Sequence, residues 1–269
     1  MLTDMEIKTL IEELYVYHGH DFSGYSAASF KRRIERLYEM DKFENFSEFL
    51  SKARSNQAYF NHMIEEITVN VTEMFRDPSF YKILKTEILP VLATKPFIRI
   101  WHAGCATGEE VYSVAILLKE LNLLQRSLLY ATDLNPTVLE VAKKGLFPLR
   151  NMQQYAENYR IASGKQDFSD YYIANYGYAK FSKELSDRMV FSQHNLIIDG
   201  SFNEFDLIIC LNVLIYFDKD FQQTSLELFD QSLSKLGYLA LGSKETLKFS
   251  SIQHRYKQHE QEKIWKKMI

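Results

Sequence analysis

Residues 97–118 read FIRIWHAGCATGEEVYSVAILL, and residues 128–136 read LLYATDLNP. An apolar run enters a turn of small residues, a helical pattern begins at Glu109, and a second apolar run ends at Asp133. This order predicts a strand, a small-residue loop, a helix, a second strand and a terminal acid. Such an arrangement brings a backbone loop close to an adenosine-containing ligand and sets a carboxylate against its ribose hydroxyls.

The spacing of the small residues in this loop distinguishes between ligands. A dinucleotide-binding loop has small residues at i, i+2 and i+5 around a pyrophosphate. The position i+5 from Gly104 is Glu109, whose charge would repel phosphate. The small residues fall instead at Gly104, Ala106 and Gly108, which resembles the first motif of S-adenosylmethionine-dependent methyltransferases. That cofactor carries no phosphate. The alternative interpretation is a tight turn that binds no ligand.

The composition is that of an ordinary globular protein. The 269 residues suffice for one large or two modest domains, with 46% hydrophobic and 25% charged residues. A net charge of −3 provides no global basic field, so we expect no nucleic-acid partner. The two cysteines, Cys105 and Cys210, allow neither a disulfide framework nor a zinc-binding spacing, which favours a reduced, cytoplasmic compartment.

Neither a signal sequence nor a membrane span is expected. The first residues, MLTDMEIKTLIEELY, are acidic and have a helical pattern rather than that of a signal sequence. No apolar run approaches the roughly 18 residues that a transmembrane helix needs. We therefore expect no direct membrane insertion.

Residues 1–68 carry apolar residues at helical spacing and show no strand pattern, which predicts a small helical bundle. Thr3 or Asp4 is expected to cap the first helix, and Ser26 the second. Residues 69–77 are predicted to be an interdomain linker.

Residues 78–269 are predicted to form the second domain. From residue 98 the pattern alternates strands and helices, which favours a mostly parallel sheet covered on both faces. Residues 147–188 break the alternation and are predicted to be an insertion, with a short hairpin near residues 176–181. The C-terminal tail is expected to form a hairpin at the sheet edge. The predicted strands are 98–102, 128–132, 189–194, 205–211 and 238–242, and the predicted helices are 109–121, 136–144 and 219–235.

Two candidate site segments have simple structural alternatives. The linker combines Asn70 and Thr72 with Arg76, but it could equally be a connection with an ordinary surface arginine. One of the two carboxylates Glu109 and Glu110, in the first turn of a helix, could accept hydrogen bonds from a cofactor's amino-acid end. It could also stabilise the helix dipole alone.

Two further segments follow predicted strands. Asn195 and Leu196 come after residues 189–194, where the asparagine amide could contact an adenine edge or could form a turn. Asn212 and Tyr216 come after residues 205–211, and ligands of open α/β sheets bind beyond the carboxyl ends of strands. Tyr216 could alternatively be an aromatic core residue.

Four motifs occur in order behind the helical region: NVTEMFR, IWHAGCATGEEVYS, ATDLNPTVLEVAKKG and IICLNVLIYFD. Together they resemble the CheR-type chemotaxis receptor methyltransferases, which are protein-glutamate O-methyltransferases, over nearly the whole chain. The linker motif is the most discriminating, because general methyltransferases lack it. The resemblance implies a bacterial cytoplasmic signal-transduction enzyme that moves methyl groups from S-adenosylmethionine to chemoreceptor glutamates in sensory adaptation, leaving S-adenosylhomocysteine.

The resemblance also implies an architecture. A small N-terminal helical bundle that docks on the receptor would precede a Rossmann-like class I S-adenosylmethionine-dependent methyltransferase domain. That domain would have a mostly parallel seven-stranded sheet and a small inserted subdomain. A monomer without a metal ion is implied, whose partner is the cytoplasmic domain of chemoreceptors.

Individual residues acquire roles from the same resemblance. The residues implied to bind the cofactor are Asn70, Thr72, Arg76, Gly104, Glu110, Asp133, Asn195, Leu196 and Asn212. Tyr216 is implied to flank the methyl group and Arg76 to lie near the acceptor, so these two are the catalytic candidates. The basic residues implied to dock the receptor are Lys31, Arg32, Arg33 and Arg36, which could otherwise form a solvated helix face.

Two features depart from the family pattern. Leu211 stands where the family usually has arginine, and the insertion between Asn175 and Met189 is short, so we do not expect tethering to a receptor's C-terminal peptide. Two alternatives stay open: a methyltransferase acting on RNA or a small molecule, and a non-catalytic S-adenosylmethionine-binding module. The acidic balance disfavours RNA. Leu211 favours the non-catalytic module, whereas Arg76 and Tyr216 disfavour it.

Overall fold

Four helices form the N-terminal region in the computed structural model, which describes residues 1–68, 70–259 and 262–269. They are α1 (Asp4–His18), α2 (Ala27–Met40), α3 (Phe46–Ser55) and α4 (Gln57–Ile67). Their inward faces bury a shared apolar core that includes Leu10, Ile34 and Phe49. The predicted helical bundle is therefore confirmed.

The two predicted helix caps have different outcomes. Thr3 caps α1 in a capping box, in which its side chain accepts from the backbone of Glu6 and the Glu6 side chain accepts from the backbone of Thr3. Ser26 occupies the predicted N-cap position of α2, but its side chain makes no capping hydrogen bond. Its backbone N–H donates instead to the carbonyl of Tyr216 at 2.8 Å, which ties the start of α2 to the second domain.

A helical segment that the sequence analysis did not predict follows the linker. It comprises α5 (Pro78–Ile83), a π-helical stretch at Leu84–Ile88, and α6 (Leu89–Leu92). Pro78 fits the first turn, where its missing N–H would have no partner. Pro90 interrupts the helical pattern of the sequence, and the preceding π-helical stretch accommodates it.

The remaining elements alternate as predicted and add a small second sheet. The strands are β1 (Ile98–Ala103), β2 (Ser127–Asp133), β3 (Leu146–Pro148), β4 (Tyr172–Asn175), β5 (Tyr178–Phe181), β6 (Met189–Gln193), β7 (Phe205–Cys210), β8 (Leu233–Leu241), β9 (Tyr256–Gln258) and β10 (Ile264–Lys267). The helices are α7 (Glu109–Glu120), α8 (Pro136–Lys144), α9 (Met152–Ile161), α10 (Lys183–Ser186) and α11 (Lys219–Ser232).

The large sheet has the strand order β6-β2-β1-β7-β8-β10-β9. Strands β6, β2, β1, β7 and β8 run parallel, whereas β10 pairs antiparallel with both β8 and β9. This confirms the mostly parallel seven-stranded sheet and the edge hairpin, whose residues Glu260 and Gln261 lie outside the described ones. The strand order reverses between β1 and β7, which opens a crevice at their carboxyl ends.

The insertion contains the second sheet, antiparallel and ordered β3-β5-β4. Its β4–β5 hairpin turns at Tyr176 and Gly177, both with positive φ, where the sequence predicts a hairpin.

Among the described residues, no helix has the length and apolar composition of a membrane-crossing helix.

A buried polar cluster joins α7, the insertion and the helical segment after the linker. Glu120 binds the ammonium of Lys85 at 2.5 Å, and their side chains are 1% and 4% exposed. Glu120 also accepts hydrogen bonds from the hydroxyls of Tyr159 and Tyr171 and from the backbone of Lys165. Burial alone would raise the pKa of Glu120, but the hydrogen bonds from Lys85 and Tyr159 lower it below its ordinary value.

Replacing Lys85 by methionine should lower the free energy of unfolding by about 3–5 kcal/mol, because a buried carboxylate loses its counter-charge. Urea denaturation measures the loss. The matched control is Lys143→Met, which removes an exposed ion pair with Glu140 and should cost less than about 0.5 kcal/mol. Equal losses in the two variants would contradict the importance of the buried pair.

Candidate active site

A cavity of about 260 Å³ lies at the carboxyl ends of the parallel strands. Its walls come from the helical bundle, the linker and the loops after β1, β2, β6 and β7. Every residue predicted to bind a cofactor or to act in catalysis lines it: Asn70, Thr72, Arg76, Gly104, Glu110, Asp133, Asn195, Leu196, Asn212 and Tyr216. Residues far apart in sequence are thus brought to one place.

The loop after β1 is fixed to the end of β2. The backbone N–H groups of Gly104 and Cys105 both donate to the carbonyl of Thr132, at 2.8 and 2.9 Å. Gly104 has a φ of +80°, and a Cβ atom there would lie 2.4 Å from Cγ2 of Val213. Only glycine suits this position, because it combines a left-handed backbone with close approach to the loop after β7.

Asp133 ends β2 and faces the cavity. Its carboxylate accepts backbone hydrogen bonds from Ala106 at 2.9 Å and from Asn135 at 3.0 Å, one on each oxygen. Burial raises the pKa of Asp133, and these backbone donors oppose the rise. A carboxylate has about four acceptor positions, so both oxygens can still accept hydrogen bonds from a ligand.

The two carboxylates in the first turn of α7 point to different surroundings. Glu110 lines the cavity, and its Oε1 lies 2.7 Å from Nδ1 of the fully buried His102 in β1. Glu109 is 6% exposed and accepts a 2.6 Å hydrogen bond from the Thr107 hydroxyl. Burial raises the pKa of Glu109 to about 7, although the Thr107 hydrogen bond opposes the rise. Of the two, Glu110 is therefore the one positioned to contact a ligand.

The loop after β6 presents Asn195 and Leu196, both largely buried. The Asn195 side-chain oxygen accepts a hydrogen bond from the backbone N–H of Ile197 at 2.9 Å. The backbone N–H of Asn195 donates to the Asp199 carboxylate at 2.7 Å. Asn195 thus forms the turn that the sequence left open as an alternative. The side-chain nitrogen of Asn195 is not part of that turn, so it can still donate a hydrogen bond to a ligand.

The loop after β7 is held by Glu245, which the sequence analysis missed. The buried Glu245 carboxylate accepts from the backbone N–H groups of Asn212, Leu214 and Gly242, at 3.1, 2.7 and 2.6 Å. Burial raises its pKa, and these backbone donors oppose the rise. Asn212 is left-handed, with a φ of 63°. The sequence shows only that Glu245 follows a predicted strand. The loop that it binds lies 33 residues earlier in the chain, so no local pattern connects the two.

The linker residue Arg76 is exposed, and the backbone beside it is anchored by its neighbour Phe75. Its neighbours Phe75 and Asp77 have positive φ values of 53° and 58°, each of which costs about 1–3 kcal/mol for a non-glycine residue. The Phe75 N–H donates to the Ser113 hydroxyl at 3.0 Å. The fully buried Phe75 ring packs in an aromatic cluster with Tyr81, Tyr159 and Phe168. The linker is therefore an anchored wall of the cavity.

The four basic residues of α2 do not share one environment. Arg32 and Arg36, four residues apart, are exposed, and Lys31 pairs with Asp4 at 2.6 Å. Arg33 differs, because it lines the cavity and donates to the carbonyl of Glu66 at 3.3 Å. Arg33 therefore lies in a different environment from Lys31, Arg32 and Arg36, and docking by these residues stays a prediction.

The cavity chemistry suits a cofactor without phosphate. Glu110 and Asp133 place two carboxylates around the loop after β1, which would repel a pyrophosphate and can accept from an ammonium group and from hydroxyls. No group of three histidine, cysteine, aspartate or glutamate side chains within the described ranges is arranged to hold a metal ion.

Comparison with known families matches both parts of the chain. The profile of a family described as "CheR methyltransferase, all-alpha domain" matches residues 5–68, and that of "CheR methyltransferase, SAM binding domain" matches residues 70–265.

Individual proteins are similar along most of the chain. A Pseudomonas putida protein named "Putative methyltransferase Cher3" is 45% identical over 256 residues, which cover 94% of this chain and 93% of that protein. The chemotaxis protein methyltransferase of Borreliella burgdorferi is 31% identical, covering 92% and 90%. The solved structure of magnesium protoporphyrin IX methyltransferase from Synechocystis covers 87% of this chain and 70% of that chain, at 15% identity and a TM-score of 0.35.

The raised pKa of Glu109 gives a pH-dependent stability. Because the folded protein holds this proton up to about pH 7 and an unfolded glutamate only to about 4.5, the stabilisation is complete at low pH and is lost as the pH rises through 7. The unmodified protein should therefore lose stability from pH 5 to pH 8, whereas Glu109→Gln should not. The free energy of unfolding of the variant, relative to that of the unmodified protein, should rise by on the order of 3 kcal/mol over this range. Chemical denaturation at both pH values measures the difference, with exposed Glu204→Gln as the control. Parallel curves for Glu109→Gln and the unmodified protein would refute the assignment.

Proposed function

This chain belongs to the CheR methyltransferase family of S-adenosylmethionine-dependent protein methyltransferases, and we propose that it methylates glutamate side chains of bacterial chemoreceptors in the cytoplasm. The products would be glutamate methyl esters and S-adenosylhomocysteine. The observation that carries the proposal is that Arg76, Tyr216, Glu110 and Asp133 all line one cavity.

The cofactor would be held by groups that the fold already fixes. Asp133 would accept from the ribose hydroxyls, and Glu110 would accept from the amino group of the cofactor's amino-acid end. His102 orients Glu110 through the 2.7 Å contact with its carboxylate. Asn195 and Leu196 line the adenine side, and Gly104 lets the loop backbone approach closely. Asn70, Thr72 and Asn212 contribute polar side chains at the cavity wall.

The proposed reaction does not require the protein to transfer a proton. When bound, S-adenosylmethionine supplies a methyl group on a positively charged sulfur. A glutamate acceptor is already ionised at neutral pH, so the site needs no general base. Because charge is neutralised during transfer, tight electrostatic binding of the acceptor would stabilise the ground state more than the transition state. The main task of the site is therefore to orient the acceptor and exclude water.

Arg76 and Tyr216 are suited to that orienting task. The Arg76 guanidinium matches the planar geometry of a carboxylate, and its exposed position keeps the contact moderate in strength. Tyr216 lies on the loop braced by Glu245 and would fix the approach of the acceptor by a hydrogen bond or by packing.

Receptor docking would use the outward basic residues of α2, namely Lys31, Arg32 and Arg36. The acidic chemistry of a receptor surface rich in glutamate would complement these cations. Arg33 would serve the cavity rather than the docking surface, because it lines the cavity wall.

Leu211 supports one second candidate, a module that binds the cofactor without transferring its methyl group to this acceptor. Leu211 lines the cavity where the family usually has arginine, so a polar contact is replaced by an apolar one.

Incubation with methyl-labelled S-adenosylmethionine and membranes bearing the cognate chemoreceptor separates the two candidates. Base-labile label released from the receptor as methanol is the result expected for carboxyl methylation. Binding of the cofactor without any transfer would favour the second candidate, and absence of binding would refute both.

Arg76→Ala should reduce turnover about 100-fold while changing the dissociation constant of S-adenosylhomocysteine less than about threefold, because the acceptor carboxylate loses the group that orients it and a misplacement of about 1 Å can cost about 100-fold in rate. Initial rates and calorimetry measure the two quantities, with exposed Arg150→Ala as the control. If the fold is intact but cofactor binding disappears, the orienting role is wrong.

Asp133→Asn should weaken S-adenosylhomocysteine binding by about 10- to 100-fold, because hydrogen bonds to a charged acceptor contribute about 1.5–3 kcal/mol. Asparagine retains the size of the side chain and one oxygen for the bond from Ala106, but its NH2 group replaces the oxygen that accepts from Asn135. Melting curves must therefore show that the loop is intact before the loss is assigned to the ribose. Isothermal titration calorimetry measures the change against exposed Asp170→Asn. An unchanged dissociation constant would exclude Asp133 as the ribose-binding acid.

A further inference from the structure

The turn between α1 and α2 is seated on the loop that carries Tyr216. The backbone of Ser26 donates to the carbonyl of Tyr216 at 2.8 Å, and the backbone of Asp218 donates to the carbonyl of Gly24 at 2.7 Å. These bonds form an antiparallel bridge in which Tyr25 pairs with Phe217. The helical bundle is thus fixed directly to a catalytic loop.

The bridge between Tyr25 and Phe217 depends on the absence of a side chain at Gly24. A Cβ atom at Gly24 would lie 2.3 Å from the ring of Phe221 in α11, closer than a rigid aromatic ring allows. The segment Gly24 to Ser26 therefore lies against the second domain only while position 24 lacks a side chain.

Tyr25 turns toward the cavity from this segment. Its ring packs between Phe22 and Phe217, each with a centroid distance of 5.1 Å, and it lines the same cavity as Asp133. Burial, followed by the Asp133 carboxylate, raises the pKa of Tyr25 well above its ordinary value, so the hydroxyl keeps its proton and can donate. Within the described residues, no hydrogen bond engages this hydroxyl. A half-buried phenol beside a ligand cavity has a strong tendency to find a partner there.

We propose that Tyr25 is a ligand-binding residue of the cavity, whose hydroxyl donates a hydrogen bond to the ribose that Asp133 holds. This inference rests on the proposed function, since the ribose belongs to S-adenosylmethionine. The acid accepts from the ribose hydroxyls and the phenol donates to the oxygen of one of these hydroxyls, so the two groups are complementary. The helical bundle thereby contributes to cofactor affinity as well as to any docking.

Tyr25→Phe tests the hydrogen bond, with isothermal titration calorimetry of S-adenosylhomocysteine as the readout. Loss of one neutral hydrogen bond should weaken binding about fivefold. The control is Tyr38→Phe, also in the helical bundle, whose ring packs against Phe43 and Phe49 and does not line the cavity. It should leave the dissociation constant unchanged.

A ligand analogue makes the test specific. Tyr25→Phe should bind a 2′,3′-dideoxy analogue of S-adenosylhomocysteine as well as the unmodified protein does, because the ribose partner is then absent. An equal loss for both ligands would mean that Tyr25 acts by packing alone, which overturns the proposal. Failure of the unmodified protein to bind S-adenosylhomocysteine would instead refute the proposed function.

Gly24→Ala provides a second variant that retains the phenol. The new methyl group should displace the segment from Phe221 and weaken binding by more than about fivefold. The control is Gly200→Ala, where an added Cβ meets no heavy atom within 4 Å. Unchanged affinity in both Tyr25→Phe and Gly24→Ala, with intact melting curves, would exclude Tyr25 from the binding site.

Discussion

The shape of the cavity depends on the hydrogen bonds that the carbonyl of Thr132 accepts at the end of β2. This carbonyl accepts from Gly104 and Cys105, so the loop after β1 is held against the end of β2, and Asp133 then binds the backbone of Ala106. These bonds require the left-handed glycine at position 104, because a side chain would collide with the loop after β7. The loop after β1 is thereby held between the end of β2 and the loop after β7.

Two buried anchors then position the two catalytic candidates. Phe75 holds the linker through its buried ring and its bond to Ser113, which leaves Arg76 exposed beside an anchored backbone. Glu245 binds the loop that leads to Tyr216. In both cases the residue proposed to act on the acceptor is carried by a segment whose backbone is held elsewhere. Such a division suits a reaction that depends on orientation more than on proton transfer.

Local patterns in the sequence predicted much of this molecule, and long-range contacts account for what was missed. Alternating apolar runs located the parallel strands, and the loop spacing with Asp133 indicated the ligand class. No sequence pattern indicated the bond from the backbone N–H of Ser26 to the carbonyl of Tyr216, because the two residues are far apart in the chain. Glu245 and the inward position of Arg33 were missed for the same reason. No local pattern reports which distant segment a side chain will face.

The central claim is that one cavity, built by both parts of the chain, holds the cofactor beside Arg76 and Tyr216. A crystal structure of the protein with S-adenosylhomocysteine tests it most directly. The account predicts electron density for the ligand in this cavity, with its ribose at Asp133 and its amino group at Glu110. Density at any other position, or a ligand that leaves Asp133 and Glu110 without contact, would contradict it.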